Sequence, residues 1–237
     1  MKKGLLLVPM VLLAYFLGIA MADEVDGLIK QLTSNNPQKR LAAAKALGEK
    51  KDPRAVDPLL AALKKDVSWD VRVASENALV SIGGPSVEPL VKLLKEDKDC
   101  FVRRRATRAL KDIKDTCDPK ALKNAAQNDV DCCVRRFAAK ALSEIKDPSV
   151  TEFLDDAMRK KNMEIIAAAY TYYIKKGEPG TEDILIEALQ ECSYDRKMVF
   201  DFSLCGNEKL KQAADDVIKK RKFKISSDWS GPKWGVG

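Results

Sequence analysis

The sequence predicts an all-α fold, a right-handed α-solenoid of about six helix pairs. Hydrophobic residues make up 46% of the chain but aromatic residues only 6%, so the core must be built from small aliphatic side chains, which suits close-packed helices. A pattern centred on an arginine recurs at intervals of 32, 31 and 32 residues. Each copy holds two apolar segments, and since a helix pair cannot bury its apolar stripe alone, the copies are expected to stack.

The first helix of each copy is predicted from residues at fixed distances from the arginine. A small residue stands three and six positions after it and a leucine seven positions after it, so these residues share one helical face. The arginines are Arg40, Arg72, Arg103 and Arg135, and the leucines are Leu47, Leu79, Leu110 and Leu142. Turn signals such as Asp52-Pro53 and Asp147-Pro148 separate the two helices, because proline is tolerated in the first turn of a helix.

The pattern divides the chain into four parts. Residues 1–22 form a leader, 23–36 hold an N-terminal cap helix, 37–224 form the solenoid, and 225–237 form a tail. Four copies are strong. A fifth, from Met163 to Gln190, has Glu164 in place of the arginine, and a sixth spans Tyr194 to Arg221; such drift is expected of terminal repeats. The tail carries Trp229 and Trp234 and is either a flexible end or an extended strap.

The motif Val-Arg-x-x-Ala/Ser-x-x-Ala-Leu, preceded by Asp and followed by an Asp-Pro or Gly-Pro turn, resembles the short HEAT repeat of the phycobilisome-lyase type. This resemblance implies a ladder of Asp and Arg residues that links adjacent repeats. An Asp stands six residues before the arginine in three copies, which gives the pairs Asp66 with Arg72, Asp97 with Arg103, and Asp129 with Arg135. Repeated ion pairs of this kind hold the register of the repeats, so their expected role is structural.

The N-terminal segment predicts export. Met1-Lys2-Lys3 is a positive start, Gly4 to Ala20 carries no charge, and Ala20-Met21-Ala22 is a small-x-small site before an acidic stretch. Cleavage is therefore expected near Ala22/Asp23, which would place the mature protein in the periplasm or outside the cell. The competing interpretation is a retained membrane anchor, because Gly4 to Ala22 is close to the length of a bilayer span.

Six cysteines remain after the leader, and an exported chain favours disulfides. Cys100 and Cys132 stand at equivalent positions of consecutive copies, so a bridge from Cys100 to Cys132 or Cys133 is conceivable but strained, because neighbouring helices are roughly 8–10 Å apart. Cys117 and Cys205 fall in turns on the opposite edge, so at most one or two bridges are expected. A redox or metal role for Cys132-Cys133 is the less favoured alternative.

The absence of histidine excludes imidazole acid–base catalysis, a Ser-His-Asp triad and His-ligated metal sites, so no catalytic residues, metal or cofactor are predicted. The formal charge of +7 falls to +5 without Lys2 and Lys3 and does not favour a nucleic-acid partner. Arginines crowd one region, and those outside the ladder are either a solvated face or a basic docking surface for a protein or an anionic envelope component. They are Arg104, Arg105, Arg108 and Arg136.

The expected function is therefore that of a protein-binding scaffold or adaptor without enzymatic activity, exported and acting on another protein. A membrane would be a partner only if the leader is retained. The alternative, implied by the resemblance, is a chromophore-lyase-like or chaperone-like HEAT protein that acts on a partner protein.

Overall fold

A computed structural model describes residues 24–113, 119–191 and 196–222, and these residues are helical or lie in short turns, with no strand among them. The chain divides into two compact units, Met1–Cys117 and Asp118–Gly237. The prediction of an all-α solenoid built from helix pairs is confirmed. The leader, the Trp229 and Trp234 tail, Cys117 and Cys192 lie outside the described residues.

The first unit contains a cap helix, two helix pairs and the first helix of a third pair. Residues 24–31 are helical (α1). The elements that follow are α2 (Pro37–Lys50), a 3-10 turn (Pro53–Ala55), α3 (Val56–Lys65), α4 (Trp69–Ile82), α5 (Gly84–Glu96) and α6 (Cys100–Ile113). The first helices α2, α4 and α6 pack side by side, and α3 and α5 each follow their own first helix after a short turn.

The second unit begins with the second helix of the third pair and continues with three further copies. It contains α7 (Pro119–Asn128), α8 (Cys132–Leu142), α9 (Pro148–Arg159), α10 (Met163–Ala168), α11 (Tyr170–Lys176), α12 (Glu182–Glu191), α13 (Arg196–Leu204) and α14 (Glu208–Arg221). In the fifth copy the first helix is broken at Ala169 into α10 and α11. The sixth copy is split where expected, with α13 ending at Leu204 and α14 beginning at Glu208.

The core consists of the residues that the repeat pattern selects. The four leucines seven positions after the arginines are each 0% exposed, and so are the small residues three positions after the arginines. They are Leu47, Leu79, Leu110 and Leu142 and Ala43, Ser75, Ala106 and Ala138. The recurring pattern is therefore the packing face of the first helices, as expected of a stripe that neighbouring copies bury.

Small residues also set how closely two first helices approach each other. A Cβ atom on Gly48 of α2 would lie 2.9 Å from the Cα atom of Ala78 in α4. That distance is shorter than van der Waals contact, so only glycine fits at this crossing.

Helix starts follow the capping chemistry that the sequence indicates. The side chains of Asn36, Asp52 and Asp147 accept hydrogen bonds from backbone N–H groups two residues later, each beside a proline in the first turn. These caps satisfy donors that a helix start otherwise leaves open, so the three elements begin at defined residues.

Candidate protein-binding surface

The aspartate that precedes each first helix organises the turn between copies. Its carboxylate accepts a hydrogen bond from the backbone N–H two residues later: Ser68 to Asp66 at 2.8 Å, Asp99 to Asp97 at 3.0 Å, and Asp131 to Asp129 at 2.9 Å. This local bond closes an Asx turn. The turn therefore has the same geometry in three copies.

Each predicted Asp and Arg pair meets through the main chain of the aspartate. Arg72 donates from Nε to the carbonyl oxygen of Asp66. Arg103 donates from Nη1 to the carbonyl oxygen of Asp97 at 3.0 Å, and Arg135 does the same to Asp129 at 2.8 Å. The arginine therefore fastens its own helix to the turn before it.

The links between copies pair an acid of one copy with a cation of an earlier copy. Arg40 donates from Nε and Nη2 to the carboxylate of Asp66 at 2.6 and 2.8 Å, and Lys64 contacts Asp97 at 2.7 Å. In the second unit, Arg135 Nε donates to Glu164 at 2.8 Å. Glu164, which replaces the arginine of the fifth copy, is thus the acid of this link.

These contacts alter the acidity of the two aspartates. The hydrogen bond from Arg40 lowers the pKa of Asp66 below its ordinary value, against a smaller opposing effect of burial. Burial raises the pKa of Asp97, but the hydrogen bonds from Lys64 and from the backbone of Asp99 together outweigh it, so its pKa is also lowered. Both carboxyls are therefore charged at neutral pH.

The four arginines predicted as a basic surface do not share one environment. Arg108 and Arg136 are exposed and Arg104 is half-buried. Arg105 is only 4% exposed and lies in the α4/α6 packing seam, beneath the exposed face on which the sequence had placed it. The reason is a carboxylate on the neighbouring helix that no local pattern reveals.

That carboxylate is Glu76 of α4, which is 3% exposed. Arg105 Nη1 donates to Glu76 Oε2 at 2.6 Å, and Arg108 Nε lies 3.4 Å from Oε1. Burial raises the pKa of Glu76, and the charges of Arg108 and Arg105 offset part of that rise. The other copies carry a small or hydroxyl residue at this position: Ala44, Thr107 and Ala139. The ion pair is thus particular to the α4/α6 contact.

Two exposed aromatic side chains each lie against an arginine of α6. Trp69 in the first turn of α4 is 61% exposed, and its ring centre lies 4.1 Å from the guanidinium carbon of Arg105. Phe101 in the first turn of α6 is 56% exposed, with the guanidinium of Arg104 5.0 Å from its ring centre. Val67, just before α4, is 93% exposed. We call Val67, Trp69, Phe101, Arg105 and Arg108 the α4/α6 edge.

Neither Trp69 nor Phe101 was predicted from the sequence as a binding residue. A signal was present, because Trp69 and Glu76 stand seven residues apart and Phe101 and Arg105 stand four apart, so each pair shares a helical face. What sequence alone did not show is that the two faces meet.

The described cysteines give no support to a bridge between Cys100 and Cys132, which both have free thiols. Cys133 is half-buried, and Cys205 is buried beside the turn between α13 and α14. Within the described ranges, no three His, Cys, Asp or Glu side chains cluster as metal ligands would. None of the helices in those ranges is both long and apolar enough to cross a bilayer.

The stacked helix pairs, with an aspartate before the first helix and an arginine within it in three of the copies, define a helical repeat protein. A sequence profile of HEAT repeats matches residues 25–111 and 119–200. The chain belongs to the HEAT-repeat family. No curated protein matches it.

Several solved structures are similar to the chain. The complex of CpcE and CpcF of phycocyanin lyase from Nostoc sp. PCC7120 is 21% identical over 86% of this chain and 90% of that one, with a TM-score of 0.44. A designed armadillo repeat protein in complex with the peptide (KR)4 is 19% identical over 83% and 98%, with a TM-score of 0.42. An engineered protein is 21% identical over 84% and 98%, also with a TM-score of 0.42.

Proposed function

We propose that the protein is an exported protein-binding scaffold and that the α4/α6 edge is its docking surface. The observation that carries this proposal is the pair of exposed aromatic rings, Trp69 and Phe101, each against an arginine guanidinium. Isolated exposed apolar residues are ordinary on protein surfaces. Tryptophan and arginine together, however, are the residues most enriched among those that dominate binding energy at protein interfaces.

The arginine beneath Trp69 is held in place. Trp69 belongs to the first turn of α4, and it lies over Arg105, which the bond to Glu76 orients. A preoriented guanidinium loses less conformational entropy on binding than a mobile one. The buried ion pair thus supports the surface from beneath.

The export part of the proposal rests on the leader alone, with its positive start, uncharged stretch and Ala20-Met21-Ala22 site. Mass spectrometry of the protein purified from the cells that produce it tests this part. A mature N-terminus at Asp23 is expected, and an intact Met1 would contradict cleavage.

Affinity capture from the envelope and the medium of those cells tests the docking surface. The bait is the mature chain, compared with a Trp69→Ala/Phe101→Ala variant and with Val130→Ala as a matched control, since Val130 is 89% exposed just before α8. We expect a protein that the wild type and the control enrich equally and that the double variant loses at least tenfold. Equal recovery by the double variant would refute this surface, and recovery of no protein would refute the scaffold function.

A further inference from the structure

Arg105 has a hydrogen-bond donor that none of the described residues uses. Its Nη1 atom donates to Glu76, but its Nη2 atom is buried and has no hydrogen-bond partner within the described ranges. A buried guanidinium normally has its donors satisfied, because an open donor loses its bonds to water without replacement. The open donor therefore points to an acceptor other than the described residues.

The group that covers Arg105 is itself accessible. The Trp69 ring lies over the Arg105 guanidinium, yet 61% of Trp69 is exposed to solvent. Because most of the Trp69 side chain faces solvent, a change of its rotamer would uncover the guanidinium from the solvent side. Arg105 is thus a buried charge beneath a movable cover.

The charges around Arg105 favour an anion. Glu76 is one carboxylate shared by two guanidiniums, those of Arg105 and Arg108, and 49% of the Arg108 side chain is exposed. Helix α6 as a whole carries five cationic residues and one acidic residue, Asp112, which is paired with Lys111 at 2.6 Å. The two arginines and the single carboxylate of Glu76 leave a net positive charge that favours a second carboxylate.

The same edge also limits what kind of anion fits. Asp70 and Asp99 are exposed at the starts of α4 and α6, so a polymer with a charge on every unit, such as a nucleic acid, would also meet negative charge at these helix starts. A peptide can place one carboxylate at the guanidinium and apolar side chains against Trp69 and Phe101. Guanidinium and carboxylate groups also match in planar, two-bond geometry.

We infer that the α4/α6 edge binds an acidic peptide segment of a partner protein, with a carboxylate of that segment bound by Arg105 Nη2 and Arg108 and its apolar side chains packed on Trp69 and Phe101. This inference rests on the proposed docking surface and adds the chemistry of the partner. The surface can be correct while the inference is wrong, namely if the partner binds there without a carboxylate.

Fluorescence of Trp69 tests the inference. The protein has three tryptophans, so Trp229→Phe/Trp234→Phe leaves Trp69 as the only reporter in the full mature chain. The probes are a short peptide of alternating Glu and Leu, the same peptide with Gln for Glu, a single-stranded oligonucleotide and phosphatidylglycerol vesicles. We expect the Glu peptide to bind at least tenfold more tightly than the Gln peptide and to weaken as salt rises.

Variants of the two arginines complete the test. Arg108→Gln changes a half-exposed side chain and should weaken binding of the Glu peptide at least threefold, while Val130→Ala leaves it unchanged. Arg105→Gln should weaken it at least tenfold, and circular dichroism establishes that this variant is folded; if it is not, Arg108→Gln decides. Equal binding of the Glu and Gln peptides, no binding of the Glu peptide, or tighter binding of the oligonucleotide or the vesicles would overturn the inference. Loss of partner capture in Trp69→Ala/Phe101→Ala combined with any of these results would leave the docking surface standing.

Discussion

The guanidinium of Arg40 in α2 and the carboxylate of Asp66 before α4 are joined by two hydrogen bonds, of 2.6 and 2.8 Å. The two side chains are 12% and 5% exposed, so water competes little for either group. Because α2 and α4 belong to consecutive copies, this pair fixes how one copy sits on the next. Its contribution to stability can be separated from that of ordinary surface charges.

Arg40→Ala should lower the melting temperature by several degrees, because it leaves a shielded carboxylate without its partner. Lys50→Ala is the matched control, since Lys50 is also in α2 and also pairs with an acid 26 residues away, Glu24, but in a more exposed setting. We expect little change for Lys50→Ala. Thermal unfolding followed by circular dichroism makes the comparison, and equal shifts for both variants would contradict the special role of Arg40.

The pH dependence of stability should reflect Asp66. Its pKa is lowered in the folded protein, so its contribution is present above the unfolded pKa of about 3.9 and is lost as the pH falls through the folded value. The difference in melting temperature between wild type and Asp66→Asn should therefore be largest near neutral pH and shrink towards pH ~3. A difference that stays constant over this range would show that Asp66 does not titrate as the geometry implies.

The buried pair of Glu76 and Arg105 should show strong coupling. Glu76→Ala leaves Arg105 charged and buried, which costs roughly 3–5 kcal/mol, whereas Glu76→Leu combined with Arg105→Leu should cost far less than the two single changes together. Chemical denaturation of the wild type, the two single leucine variants and the double leucine variant measures this coupling free energy. Additive effects of the two leucine substitutions would mean that the pair does not act as a unit.

Gly48 should tolerate no side chain. Gly48→Ala places a Cβ atom 2.9 Å from the Cα atom of Ala78, so α2 and α4 must move apart, at a cost of about 1–3 kcal/mol. Gly27→Ala is the control, because Gly27 is also helical but has nothing within 4 Å of an added Cβ atom. That change should be neutral or stabilise by about 0.5–1 kcal/mol through helix propensity. Unfolding midpoints that rise for both variants would refute the close contact.

The residues of the packing face could be predicted from sequence because they recur at a regular spacing along the chain. Leu47, Leu79, Leu110 and Leu142 recur at a nearly fixed interval, and all four are fully buried. The break of the fifth first helix at Ala169 was not predicted, although Tyr170, six positions after Glu164, is a large buried residue where the other copies carry a small one.

The docking surface could be predicted only in part, because it depends on pairs of residues that are distant in sequence. Charge alone assigned Arg105 to the surface, whereas Glu76, 29 residues earlier, holds it in the α4/α6 seam. In the sequence, Glu164 only interrupts the arginine pattern at the fifth copy. In the structure it accepts a hydrogen bond from Arg135 and so continues the link between copies. In both cases the partner lies on another helix, beyond the reach of a local pattern.

Photo-crosslinking from two equivalent positions tests whether a partner protein binds at the α4/α6 edge. Val67 and Val130 each follow the aspartate that begins a copy and are 93% and 89% exposed, but only Val67 belongs to the α4/α6 edge. A benzophenone amino acid is placed at one position or the other in the full chain, and the producing cells are irradiated. If the α4/α6 edge is the docking surface, position 67 gives a discrete protein adduct that Trp69→Ala/Phe101→Ala abolishes, and position 130 gives none. The same adducts from both positions, or none from position 67, would contradict it.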